Sequence, residues 1–201
     1  LDAVKISFYD SKATEFLLFR QGQLDFINDI DPSFKDEVLT KKGKLRKEWE
    51  GVVQLQKHPY LNTEYLGILM DSATLTMKAS PLRYRNVRMA INMGFDRDKM
   101  MLYLRNSIGN PAHSGFIPYG LPSFDTAVRG YQYDPPKARL LLKEAGFTEA
   151  HPLPPLKLTT IPVYADLAGY IARQLEEIGL QVTVDVVPKS LLLEQTAQSN
   201  C

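Results

Sequence analysis

Residues 156–186 read LKLTTIPVYADLAGYIARQLEEIGLQVTVDV, and two kinds of periodicity alternate along them. Leu156 to Thr160 is a run of strand length. From about Tyr164 to Ile178 the apolar residues Ile171, Ala172, Leu175 and Ile178 recur at helical spacing, and Gly179 supplies the stop. Val182, Val184 and Val186 then alternate with polar residues, so that one face of a strand is apolar. Strand, helix, strand is a βαβ unit, whose two strands lie parallel because the helix returns the chain to the starting edge.

The same reasoning extends upstream. Asp134 is placed to cap a helix with Pro135 at its first position, a stripe of Ala138, Leu141, Leu142 and Ala145, and Gly146 as terminator. Pro81 to Arg105 reads as two helices joined at Gly94-Phe95-Asp96, the first carrying Val87, Ala90 and Ile91 at i, i+3 and i+4, the second capped by Asp96. Near the start, Val4 to Tyr9 alternates as a strand, Lys12 to Arg20 has helical spacing ended by Gly22, and Leu24 to Ile27 has strand length, which predicts a second βαβ unit. Asp31-Pro32 predicts a helix running to about Thr40, and Val52 to Gln56 and Glu64 to Met70 are further strand candidates. The Lys41-Lys42-Gly43-Lys44 cluster is expected as a solvated turn, and Asn110 to Tyr131, rich in Pro, Gly, Ser and aromatics without period, as a long ordered loop. Two βαβ units imply an α/β sheet. With no internal repeat, the 201 residues are expected to form a single lobe, residues 1–201, of mixed sheet flanked by helices.

Composition excludes several classes. Lys plus Arg number 24 against 23 for Asp plus Glu, which removes the electrostatic argument for a nucleic-acid partner. The longest apolar runs, Leu66 to Met70 and Leu191 to Leu193, are far shorter than the ~20 residues a bilayer-crossing helix needs. The first residues carry neither a basic start nor a long apolar run, so no signal peptide is expected among them. The single cysteine is Cys201, which rules out an intrachain disulfide and a cysteine-based metal site. A chain that opens within a strand pattern and stops just after a helical one is expected to be a piece of a longer protein.

Catalytic chemistry finds little to stand on. His58, His113 and His151 lie beside prolines or in loops without a second ligand at helical spacing, so no metal site is expected. No Gly-x-Ser-x-Gly elbow and no Gly-rich phosphate loop occurs, which argues against a nucleophile and against a nucleotide cofactor. In Asp96-Arg97-Asp98 the first acid is a cap and the second complements the helix dipole, while Glu176-Glu177 falls on a solvated helix face. The expectation is a chain with no catalytic residues, no cofactor and no enzymatic activity.

Three stretches carry a resemblance. Pro81-Leu82-Arg83-Tyr84-Arg85-Asn86-Val87-Arg88-Met89-Ala90-Ile91-Asn92 with Phe95-Asp96-Arg97 resembles the Val-Arg-x-Ala-hydrophobic-Asn and Asp-Arg signature of the extracellular solute-binding proteins of family 5, with Leu82 where an aromatic is usual. Tyr131-Gln132-Tyr133-Asp134-Pro135-Pro136-Lys137-Ala138 through Leu141-Leu142-Lys143-Glu144-Ala145-Gly146-Phe147 is similar to a second block of that family, and Phe19-Arg20-Gln21-Gly22-Gln23-Leu24-Asp25 to a third. The resemblance covers nearly the whole chain and implies one lobe of a type II periplasmic-binding-protein fold, corresponding to much of the second lobe. It implies a receptor that captures peptides or similar small solutes between two lobes by hinge closure and passes them to the membrane subunits of an ABC transporter, in an extracytoplasmic location, often with a lipid anchor. The first lobe of the same protein would be its intramolecular partner. The alternatives are a ligand-sensing domain of a cytoplasmic transcriptional regulator, or an unrelated α/β enzyme domain.

Loops at the carboxyl ends of strands line the crevice of an open α/β sheet. Asn28 and Asp29, after the strand expected to end at Ile27, are candidate ligand-binding residues on that ground. His58-Pro59-Tyr60-Leu61-Asn62-Thr63-Glu64-Tyr65 looks like the family's strand of cleft-lining tyrosines, which makes Tyr60 and Tyr65 the other candidates. One departure stands out. Many members have asparagine after the following Gly-aromatic step, whereas this chain has Leu69 after Gly67-Ile68, so the solute class is left open among peptides, nickel chelates and sugars.

Overall fold

The structure, a computed structural model, describes residues 2–70, 78 and 80–198. Cys201 lies outside them. The chain divides into two compact units, residues 1–56 with 102–108 and residues 57–101 with 109–201.

The larger unit holds the sheet. β1 (Leu156–Thr160) and β2 (Val182–Val186) run parallel, paired from Leu156 opposite Val182 to Thr160 opposite Val186. The ladder is prolonged at both ends, by Leu156 N–H to Gln181 O (2.8 Å) and by Val187 N–H to Thr160 O (2.8 Å). Between the strands runs a helix, Ala165–Glu176, which packs on both of them. It buries Ala168, Ile171, Ala172 and Leu175, the stripe expected from the spacing. The βαβ unit of residues 156–186 is therefore formed as read, and the α/β class holds as a small parallel sheet covered by helices.

Two further helices close the core. One spans Arg85–Met93 and the other Pro135–Glu144, and they pack against each other with Val87, Ala90 and Ala138 fully buried. The second begins as its sequence dictates: Asp134 Oδ1 accepts from Lys137 N (3.0 Å), and Pro135 sits where its missing N–H leaves nothing unpaired. It ends in a Schellman turn. Gly146 takes a φ of 90°, and Phe147 N–H reaches back to Leu142 O (3.0 Å). The helix Arg97–Leu104 follows Asp96, whose Oδ1 accepts from Lys99 N at 2.9 Å, so the expected cap is in place. The helices lying wholly within the described residues are, in chain order, α1 (Lys12–Arg20), α2 (Lys35–Val38), α3 (Arg85–Met93), α4 (Arg97–Leu104), α5 (Pro135–Glu144), α6 (Ala165–Glu176) and α7 (Lys189–Ala197).

The signature residues turn out to be fasteners. Arg88 Nη1 donates to Leu82 O (2.7 Å) and Arg83 O (2.9 Å), clamping the turn before α3. Asn92 Nδ2 donates to Arg88 O (2.9 Å), and Arg97 Nη1 donates to Asn92 O (2.8 Å). The bonds to Leu82 O, Arg83 O and Asn92 O engage carbonyls at helix ends, whereas the Asn92 side chain bonds back to a carbonyl one turn earlier in its own helix.

The smaller unit departs from expectation. α1 forms over the residues read from its spacing and buries Phe16, which stacks on Phe34 at 4.8 Å and lies 6.0 Å from Trp49. Neither Val4 to Tyr9 nor Leu24 to Ile27 is a strand, so the first βαβ unit is not formed; Val52 to Gln56, and Glu64 to Met70 in the larger unit, are not strands either. The physical reason is common to all four. Alternation marks which side of a segment is apolar, but a strand exists only through its pairing, and no described segment offers these a ladder. The side chains that made the pattern stay outside, Val4 and Phe8 being 75% and 93% exposed. The helix expected from Asp31 to Thr40 shrinks to α2: Asp31 Oδ1 accepts from Ser33 N (2.9 Å) as a cap does, but Phe34 N–H bonds Asp31 O (2.9 Å) in the tighter three-residue turn, and Leu39 is already extended. Lys41 to Lys44 is a turn as expected, and Asn110 to Tyr131 runs without helix or strand.

Candidate functional site

β1 ends at Thr160, and the chain turns through Pro162–Tyr164 into α6. This is the carboxyl edge of the parallel pair, where an α/β sheet presents its loops to a ligand. Tyr164, half-buried there, donates its hydroxyl to Glu64 Oε1 at 2.7 Å, a bond between residues a hundred positions apart in sequence. Asn62 Nδ2 donates to the same oxygen at 2.7 Å. The segment 59–65 is thereby laid along the rim of the sheet.

A second tie fixes it to the long loop. Thr63 Oγ1 donates to Phe116 O (2.8 Å), and the rings of Tyr65 and Phe116 meet edge to face at 5.1 Å. A Cβ on Gly120 would lie 3.1 Å from both Leu61 and Pro59, so the two segments touch along their length. The loop is itself braced, by Gly130 N–H to His113 O (2.8 Å), by His113 Nε2 at 2.9 Å from Asp98 Oδ2, and by the Tyr119–Phe124 ring pair at 5.5 Å.

The result is a braced segment that carries exposed aromatic side chains and, between them in sequence, the carboxylate of Glu64. Tyr60 is 84% exposed and Tyr65 69%, so neither is a core residue with only its hydroxyl in solvent; Phe116 and Tyr119 are exposed beside them. Aromatic rings left in water in this number are costly unless something covers them. Asn28 and Asp29 belong to the smaller unit and are placed differently. No strand precedes them, Asn28 offers its backbone carbonyl to Lys12 Nζ (2.8 Å), and Asp29, at a φ of 83°, turns its carboxylate to the next backbone N–H (2.8 Å). Neither residue follows a strand end, so the ground on which the sequence singles them out falls away.

Sequence reasoning misses Glu64, Asn62, Tyr164 and Phe116. For Tyr164 a signal is present, since it follows a correctly placed strand; the link to Glu64 has none. Among the described residues no group of three or more His, Cys, Asp or Glu side chains is close enough to hold a metal ion, and no helix is long and apolar enough to cross a membrane. A shallow recess of about 560 Å³ lined by Pro155, Glu176 and Gln181 lies at the amino end of the strands, opposite the rim, and gathers no convergent polar side chains.

Comparison with known proteins gives the family and the fold. Residues 1–200 match the family described as bacterial extracellular solute-binding proteins, family 5 Middle. The chain belongs to that family. It is 34% identical over 130 residues to di/tripeptide-binding protein 2 of Pseudomonas aeruginosa, an alignment covering 62% of this chain and 24% of that protein. The chain therefore spans about a quarter of the length of the curated relatives it matches. Its fold superposes on NikA from Brucella suis, solved in complex with Fe(III)-EDTA, with a TM-score of 0.70 at 19% identity, covering 95% of this chain and 38% of that one. The oligopeptide-binding protein AppA of Bacillus subtilis, solved with a nonapeptide, gives a TM-score of 0.65 at 22% identity over 92% of this chain and 36% of that one. These neighbours identify the architecture as the type II periplasmic-binding-protein fold.

Proposed function

We propose that this chain is part of the solute receptor of an ABC importer, a non-enzymatic protein that captures peptides or similar small solutes between two lobes and delivers them to the membrane subunits. Family membership across residues 1–200 is the observation that carries the reading. Working extracytoplasmically, in the periplasm or on a lipid anchor, such a receptor needs no chemistry, only a rim that desolvates a solute and a second lobe that completes the contacts. The 201 residues would form one of these lobes, and the exposed Tyr60 and Tyr65 at the carboxyl edge of the sheet would face the solute. Asn28 and Asp29 are also proposed as ligand contacts, although Asn28 gives its backbone carbonyl to Lys12 and the Asp29 carboxylate already accepts from Ile30 N–H.

The test is a thermal-shift and calorimetric screen of the intact protein against di- to pentapeptides, nickel chelates and oligosaccharides. A ligand present at a hundred times its Kd stabilises the folded state by about 2.7 kcal/mol, which raises Tm by several degrees. One class should do so, with Tyr60→Ala and Tyr65→Ala each weakening it. Silence across the whole panel overturns the receptor reading.

A further inference from the structure

Glu64 differs from the acids of the chain that are held in ion pairs, and among the described residues it is the carboxylate that takes two neutral side-chain donors on one oxygen. Asp36, Glu37 and Asp98 each meet a cationic or imidazole partner within 3.1 Å. Glu64, exposed at the sheet rim, makes no ion pair among the described residues and is held by neutral donors alone, the Tyr164 hydroxyl and the Asn62 amide, both on Oε1. A carboxylate offers about four acceptor positions. With Oε1 doubly engaged, the group is fixed in direction, and Oε2 accepts no hydrogen bond among the described residues.

The surroundings favour one kind of occupant. Tyr65 is mostly exposed one residue away, packed against Phe116, and Tyr60 is exposed on the same segment. Aromatic faces attract cations through their quadrupole, and a carboxylate adds charge-assisted hydrogen bonds, so the two together suit an ammonium or guanidinium group and repel an anion. We propose that Glu64 is a specificity-determining residue that takes the cationic nitrogen group of the solute, positioned for it by Asn62 and Tyr164. The proposal rests on the receptor reading and narrows it to solutes bearing an amine or guanidine at this rim.

The test measures binding of the intact protein to four probes by calorimetry: Ala-Lys-Ala, its norleucine counterpart Ala-Nle-Ala, and the N-acetylated form of each. Glu64→Gln keeps the shape and both donors' partner while removing the charge. It should weaken cationic probes roughly ten- to a hundredfold and leave N-acetyl-Ala-Nle-Ala within about twofold. A loss that follows the lysine assigns the group to a solute side chain, and one that follows the free amine assigns it to the solute terminus. Equal effects on all four probes, or none on any, overturn the proposal while the receptor reading survives. A wild-type protein that binds uncharged oligosaccharides and none of these peptides does the same. Silence towards every solute removes the receptor reading, and this one falls with it.

Discussion

Asp36 shows how a single side chain can set the acid sensitivity of a small unit. Its carboxylate receives Lys41 Nζ at 2.7 Å, Asn106 Nδ2 at 2.8 Å and Lys35 Nζ at 3.1 Å. Lys41 is the main cause that holds its carboxyl well below the usual carboxylate range, with Asn106 and Lys35 adding to it against the opposing effect of burial. Asn106 is fully buried, also donates to Leu39 O (3.0 Å), and ties residues 102–108 to the segment around α2. Since the folded-state value is depressed below the ordinary ~3.9, the contribution is whole above about pH 4 and is lost as pH falls towards the folded-state value. The side chain is 49% exposed, so the effect is screened and stays below about 1 kcal/mol. Urea midpoints measured from about pH 7 to about pH 2.5 should fall in acid for the wild type and fall less steeply for Asp36→Asn, which starts lower at neutral pH. Parallel curves would remove Asp36 from the account. At the same scale, the sequence exposes Tyr60 and Tyr65 as site candidates through their resemblance to a family segment. The Glu64–Tyr164 bond is beyond it, because nothing local in either stretch encodes a partner a hundred residues away.

Elements are legible where both ends carry their own chemistry. α5 has Asp134 and Pro135 at one end and Gly146 at the other, and the βαβ unit of residues 156–186 has Gly179 to stop its helix, so in each case local signals and tertiary packing agree. The four missing strands have only alternation, which specifies a face without a partner, and α2 gives up its first turn to the tighter backbone bond from Phe34 N–H to Asp31 O. The junction of α3 with α6 hides a constraint that the sequence presents as a mere helix joint. A Cβ on Gly94 would stand 2.6 Å from Ile178 Cδ1, 2.7 Å from Leu175 Cδ2 and 2.9 Å from Ala90 O. Two of those neighbours can turn away, but the carbonyl cannot. Gly94→Ala should therefore cost about 1–3 kcal/mol by overpacking, even though its φ of −83° suits alanine. Gly169, inside α6, is the matched control, because a Cβ added there would meet nothing within 4 Å. Gly169→Ala should stabilise by up to about 1 kcal/mol through helix propensity. Chemical denaturation of both variants separates crowding from backbone entropy, and destabilisation of similar size in the two would refute the crowding argument.

For the whole molecule, the proposed receptor function makes the governing quantity the way binding energy is shared across a closing cleft. A solute held at micromolar affinity has about −8 kcal/mol of binding free energy. If two lobes contribute equally, one lobe retains about −4 kcal/mol, which corresponds to millimolar affinity. The translational and rotational cost of capture does not halve with the contacts, so the retained affinity is weaker still. The alignment with the di/tripeptide-binding relative covers 24% of that protein, and on the receptor reading the exposed rim at Tyr60, Tyr65 and Phe116 would carry only the contacts of one side. The 201-residue chain, once its circular dichroism shows the helices of the fold, should thus bind the intact protein's solute at least about a thousandfold more weakly. Small-angle scattering should show the intact protein contracting on ligand addition, because a solute shifts the open–closed balance only through contacts made in the closed state. Affinity of the isolated chain within about tenfold of the intact protein would mean that one rim suffices, and that closure serves something other than capture.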